Sequence, residues 1–146
     1  KTKRLGLIGG RRTVLSGVHR NALASYGIKV EQRIAQPLSG LIESGDVSSD
    51  KLRDECRHIL SPLRNCSHIL LACTHYPAIS NVLKDFVSPQ TAFIDPAIFL
   101  ASKVISWKLP AAIEADRFYT TGDTGLMTKA ASKAFGVYIS SVEGAR

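Results

Sequence analysis

Short apolar runs alternate along this chain with stretches in which apolar residues recur every three or four positions. Residues 4–9 (RLGLIG) and 68–72 (HILLA) are almost continuously apolar, which is typical of strands buried on both faces of a parallel sheet. Residues 28–34 alternate apolar and polar side chains, as a half-buried strand does. These three stretches predict strands that belong to one sheet.

The spacing of apolar residues predicts one helix clearly, with Ser49 as its N-cap. Its buried face consists of Leu52, Cys56, Ile59, Leu60 and Leu63. Cys56 is therefore interpreted as a core residue. His58 lies off this face and is expected to be exposed.

The remaining elements continue the alternation. Helices are predicted over residues 13–25, 77–86, 97–109 and 126–135, and strands over 91–94, 118–121 and 137–142. Residues 36–46 contain one proline and two glycines and are expected to be mostly loop, and residues 110–116 a linker. Alternating strands and helices imply an α/β fold with a parallel sheet between helical layers.

Composition excludes several classes of protein. The 146 residues suffice for one core, and no apolar run approaches the ~20 residues of a membrane helix. A net charge of +7 permits nucleic-acid binding, but apart from residues 1–4 and 11–12 the basic residues are scattered, so this role is not favoured. Three cysteines without a secretion signal suggest reduced thiols in the cytoplasm. The chain starts at Lys1 and its only methionine is Met127, so we expect either a removed expression tag or a missing N-terminal part.

The stretch LLACTHYP carries the candidate chemistry. Cys73, Thr74 and His75 follow a predicted strand and precede Pro77, which suits the first turn of a helix. Ligands of parallel sheets bind at the carboxyl ends of strands, and a helix N-terminus favours anions and thiolates. An anion site beside a reactive thiol is one interpretation, and a structural cysteine is the other. A metal site with Cys66 and His68 is not expected, because roughly 16 Å of strand separates the two Cys-x-His pairs.

LLACTHYP resembles the second cysteine motif of the cofactor-independent glutamate racemases. GLIGGRRTVLSGVHRNAL, PLSGLIESG, FIDPA and FYTTGDTGLMTKAASKAFG resemble further segments of that family, in the same order and over nearly the whole chain. The sequence departs from the family pattern at Ala72, at Gly10 and Arg11, and at His19. The motif after the cysteine favours glutamate over aspartate as the substrate.

The resemblance implies a three-layer, flavodoxin-like or Rossmann-like domain that is one half of a two-domain, pseudo-symmetric enzyme. Residues 1–112 would form the domain with the second catalytic cysteine, and residues 113–146 would return to the first domain. The family works without pyridoxal phosphate, so no cofactor is expected. The expected partners are glutamate, the N-terminal racemase domain and a second copy of the chain, with no membrane and no nucleic acid.

The resemblance also assigns roles to residues. Cys73, His75 and Glu43 are the expected catalytic residues, with Glu43 orienting His75, and Thr74, His75 and Thr13 are expected to bind substrate. Alternatives stay open: Glu43 as an acid of a surface loop, Thr13 and its neighbour Ser16 as capping residues. The motif Gly122–Gly125 (GDTG) is interpreted as a plain turn rather than a phosphate site, because it lacks the lysine of a P-loop.

The function implied is racemisation of glutamate by two cysteines, supplying D-glutamate for peptidoglycan. Two alternatives remain: a non-catalytic, racemase-like binding module, and a racemase for aspartate or another amino acid. The 146 residues alone are expected to be inactive, because the first cysteine of the family has no counterpart here.

Overall fold

A four-stranded, fully parallel sheet organises the chain, in the order β2-β1-β3-β4. The computed structural model describes residues 4–110 and 116–145. The strands are β1 (Leu5–Gly9), β2 (Val30–Ile34), β3 (His68–Ala72) and β4 (Ala92–Ile94). The predicted α/β fold with a parallel sheet is therefore confirmed.

Helices connect the strands and flank the sheet. They are α1 (Arg11–Ser16), α2 (Val18–Ala24), α3 (Gln36–Glu43), α4 (Asp50–Leu60), α5 (Ser80–Lys84), α6 (Pro96–Ser106) and α7 (Thr124–Phe135), with short 3-10 helices at Ser61–Leu63 and Tyr76–Ile79. A separate two-stranded parallel sheet pairs β5 (Phe118–Thr120) with β6 (Val142–Gly144). None of the described helices is both long and apolar enough to cross a membrane.

The main core lies between the sheet and the helices α3 and α4. Ile8 of β1 and Ile69 and Leu71 of β3 are all at most 2% exposed and share this core with the apolar face predicted for α4. Cys56 is fully buried and His58 is exposed, as expected. On the other side α6 has no buried residue and leaves Ile98, Phe99 and Ile105 more than half exposed.

Two predictions for the first half of the chain are wrong. The single helix expected over residues 13–25 is two helices, because Gly17 adopts φ 66 and ends α1 in a left-handed conformation. The loop expected over residues 36–46 is mostly the helix α3, since a proline in the first turn starts a helix readily and Leu38 and Ile42 gain burial against the core. Gly45, at φ 80, follows the end of this helix.

The C-terminal part also differs from expectation. The last strand lies at Val142–Gly144 and not over residues 137–142. Gly136 ends α7 at φ 64, and of the residues between α7 and this strand only Ile139 is buried. The linker predicted over 110–116 and the boundary predicted between residues 112 and 113 fall mainly outside the described residues. The division of the chain at this boundary therefore stays a prediction.

Asp46 stabilises the start of α4 and makes folding sensitive to acid. Its carboxylate accepts hydrogen bonds from the Ser49 hydroxyl at 2.5 Å and from the backbone N–H groups of Ser49 and Ser48 at 3.0 and 3.3 Å. Ser49 in turn caps the helix by accepting from the Leu52 N–H at 3.1 Å, as predicted. The Ser49 hydroxyl is the main reason why the pKa of Asp46 lies below its ordinary value of 3.8.

We expect Asp46→Asn to weaken the dependence of the free energy of unfolding on pH in the acid range. A carboxyl whose pKa is lower in the folded state stabilises that state above the unfolded pKa, and this contribution disappears as pH falls through the folded value. The variant should lose stability at neutral pH and approach the unaltered chain as pH falls below the ordinary pKa of 3.8. Thermal unfolding followed by circular dichroism across this range measures the effect. Asp116→Asn, at an exposed position, is the control, and parallel profiles for the two variants would contradict the prediction.

Candidate active site

The candidate site lies at the carboxyl end of the central strands. Gly9 of β1 pairs with both Ile34 of β2 and Ala72 of β3, so these three strands end level with one another. Cys73 follows β3 directly, and the chain then turns into the 3-10 helix that begins at Tyr76. Cys73 thus lies at the strand ends where parallel sheets bind their ligands.

Cys73 and His75 are in direct contact. The Sγ atom of Cys73 lies 3.3 Å from Nδ1 of His75, and both side chains are half-buried. Cys56 and Cys66 differ from Cys73 in being buried. Burial raises the pKa of Cys56 to about 11 and raises that of Cys66 as well. Cys73 is therefore the thiol of this chain that is placed for acid–base chemistry.

Glu43 is the third side chain of this group, on the other side of the His75 ring. Its Oε1 atom lies 3.2 Å from Nε2 of His75. An ionised carboxylate only accepts hydrogen bonds, so Nε2 carries the proton and Nδ1 of a neutral ring presents its lone pair to the sulfur. The thiol of Cys73 then donates to Nδ1, and a proton can pass between the two. The structure brings together the three residues expected to be catalytic, and it does so through the helix α3, which ends at Glu43.

Two buried hydroxyls adjoin Cys73 that the sequence analysis missed. The Oγ atom of Ser39 lies 3.6 Å from Sγ of Cys73, and Ser39 is only 4% exposed. Tyr76 is fully buried, and desolvation raises the pKa of its hydroxyl to about 12, with smaller effects from Ser39 and Cys73 nearby. A serine on the apolar face of α3 is the signal that could have identified Ser39, had this stretch been recognised as a helix.

Two open cavities flank the three groups. Cys73 and Thr74 line one of about 380 Å³, together with His19 of α2 and Asp95 and Leu100 around the start of α6. The other, of about 420 Å³, is lined by Glu43 and His75 and otherwise by apolar side chains, mainly from α7. The first cavity is large enough for an amino acid, and Cys73 forms part of its wall.

The other predicted residues are not part of the contact between Glu43, His75 and Cys73. Thr74 is exposed beside Cys73, at the first cavity. Thr13 is half-buried within α1. Its backbone carbonyl oxygen accepts a hydrogen bond from the Ser16 hydroxyl at 2.9 Å, within the same helix. Asp123 of the GDTG motif accepts from the Leu126 N–H at 2.7 Å and caps α7, and the last two residues of the motif belong to that helix. Residues 4–110 and 116–145 hold no cluster of three or more metal-ligating side chains.

Known proteins match both the sequence and the fold. No family profile matches the chain. It is 33% identical to the glutamate racemase of Bacillus cereus over 153 aligned positions, which cover 97% of the chain and 57% of that relative. Among solved structures, the glutamate racemase of Bacillus anthracis matches with a TM-score of 0.81 and 24% identity, over 100% of the chain and 58% of that structure.

A second solved structure carries a ligand. The glutamate racemase of Francisella tularensis in complex with D-glutamate matches with a TM-score of 0.80 and 21% identity, over 99% of the chain and 58% of that structure. The chain thus spans a little over half the length of the curated relatives and structures it matches. By sequence and fold it is homologous to the glutamate racemases, as a segment that corresponds to roughly half of the enzyme.

Proposed function

We propose that this chain supplies one half of a glutamate racemase, in which Cys73 moves the α-proton of glutamate. The observation that carries the proposal is the contact of 3.3 Å between the Cys73 sulfur and His75 at the strand ends, beside an open cavity. The names of the relatives support glutamate as the substrate. The experiment that tests it is a racemisation assay on the product of the full reading frame, with D- and L-glutamate offered separately.

The reaction needs two acid–base groups. Inversion removes the α-proton from one face of the substrate and returns a proton to the other face, while the site stabilises the carbanion that forms between. Cys73 as a thiolate removes the proton of one enantiomer, and as a thiol it protonates the carbanion formed from the other. The second cysteine belongs to the expected N-terminal domain, on the opposite side of the substrate.

The neighbours of Cys73 have distinct roles in this proposal. His75 accepts the thiol proton at Nδ1 and returns it, and its own orientation depends on Glu43 at Nε2. Thr74 binds the substrate at the mouth of the cavity. Thr13, half-buried in the helix α1 that follows β1, is assigned to substrate binding.

The expected partner is the part of the racemase that the chain does not match. The exposed apolar side chains of α6 form a surface of the kind that partners cover, and α6 begins at the cavity beside Cys73. We assign the assembled enzyme to the cytoplasm and to the supply of D-glutamate for peptidoglycan, with a second copy of the chain as a further partner. No cofactor takes part.

We expect Glu43→Gln to lower the racemisation rate by about 10- to 100-fold, with little change in stability. Glutamine can donate as well as accept, so it no longer fixes the proton on Nε2 of His75. Glu143→Gln, at an exposed carboxylate in β6, is the matched control. Equal rates for both variants would return Glu43 to the role of a surface acid.

A further inference from the structure

Cys73 has a second polar neighbour, on the helix α3. The Ser39 hydroxyl lies 3.6 Å from the Cys73 sulfur, at the distance of a hydrogen bond to sulfur. Ser39 is buried in the middle of this helix, between the core residues Leu38 and Ile42. Serine is mostly found exposed, and a hydroxyl at such a position is costly unless it is hydrogen-bonded. Cys73 is the partner that the structure gives it.

The direction of this hydrogen bond follows from the other contact of the sulfur. Because Glu43 holds the ring proton of His75 on Nε2, the thiol proton of Cys73 is directed to Nδ1. The Ser39 hydroxyl is then the donor to the sulfur. A hydroxyl bound to an anionic acceptor makes a shorter and stronger hydrogen bond than one bound to a neutral acceptor. Ser39 therefore stabilises the thiolate more than the thiol.

Tyr76 adds a second buried hydroxyl beside the sulfur. Its buried hydroxyl lies close to Ser39 and Cys73 yet makes no well-formed hydrogen bond. With a pKa raised to about 12 it stays protonated, so it is a potential donor and does not compete for the proton of Cys73. Two buried hydroxyls beside one sulfur suit an anionic sulfur better than a neutral one.

We propose that Ser39 is a positioning residue for Cys73: its hydroxyl donates to the sulfur, keeps it facing His75 and stabilises its thiolate. This inference rests on the proposed function only in taking Cys73 as the acid–base group. It assigns to α3 a second contribution to the site, besides Glu43 at its C-terminal end.

Alkylation of Cys73 tests the proposal in the 146-residue chain itself. Iodoacetamide reacts with the thiolate, so the rate at which the peptide with Cys73 gains mass, followed between about pH 5 and pH 10, reports how readily the thiolate forms. For Ser39→Ala we expect the midpoint of this profile to rise by up to about one pH unit, with up to about tenfold slower alkylation below it. Ser44→Ala, next to the end of α3 with its hydroxyl bonded to the Leu41 carbonyl, is the control and should behave like the unaltered chain.

A matched pair of larger variants isolates the hydroxyl if alanine disturbs the fold. Ser39→Thr and Ser39→Val have the same shape, and only threonine keeps a donor to the sulfur. The threonine variant should alkylate faster than the valine variant below the midpoint. Identical profiles for this pair, or an unchanged profile in a folded Ser39→Ala chain, would overturn the role of Ser39 and leave the proposed function standing. A clear effect of Ser39 together with no racemisation by the full-length product would contradict the proposed function alone.

Discussion

Replacing Cys73 by alanine is expected to abolish racemisation in both directions. A positioned acid–base group contributes about 10²- to 10⁴-fold to a proton transfer, and each direction of this reaction uses Cys73 once, either as base or as acid. The full-length product with Cys73→Ala should therefore lose at least about 10²-fold in rate with D-glutamate and with L-glutamate alike. The change in optical rotation of either enantiomer measures this loss.

Two further variants separate lost chemistry from lost structure. Cys66→Ala removes a buried thiol outside the site and should retain activity, apart from some loss of stability. Cys73→Ser keeps a small polar group against His75 and Ser39 but replaces the thiol by a much weaker acid, so it should fold normally and remain nearly inactive. Substantial turnover by a folded Cys73→Ala enzyme would return Cys73 to the role of a structural cysteine.

The sequence predicted what depends on neighbours along the chain. The buried strand that ends at Ala72 and the cap at Ser49 each involve residues close in sequence, so periodicity and local chemistry were enough. The helix α3 was missed because Pro37 and Gly40 within it, and Gly45 just after it, indicate a loop. Its stability comes from burial of Leu38 and Ile42 against elements that are distant in the chain. The strand over residues 137–142 was misplaced for a similar reason, since its pairing depends on the short partner β5.

The same distinction applies to the candidate site. Glu43 was assigned by resemblance to a family, because nothing local connects it with His75, 32 positions later in the sequence. Ser39 was not assigned at all, since its contact with Cys73 joins residues 34 positions apart and requires the helix that the sequence did not reveal. Long-range side-chain contacts of this kind follow from the packing of α3 on the sheet, and a single sequence carries no direct record of that packing.

The chain of 146 residues by itself is expected to show no racemisation. Cys73 approaches the substrate from one face only, and Cys56 and Cys66 are both buried in the core, so no second thiol is available to reach the opposite face. The cavity beside Cys73 is also open, which leaves water to compete for any carbanion. Incubation of the purified chain with each enantiomer, beside the full-length product at equal concentration, measures this difference.

The reading frame upstream of Lys1 decides how that result is understood. A preceding domain of about 100 residues, with a cysteine at the end of an apolar strand, would supply the second base and explain an inactive half beside an active whole. A start codon directly before Lys1 would leave a half-site that stands alone and would favour the racemase-like binding module. Racemisation by the 146 residues alone would contradict the two-base proposal, because one thiol on one face cannot complete an inversion.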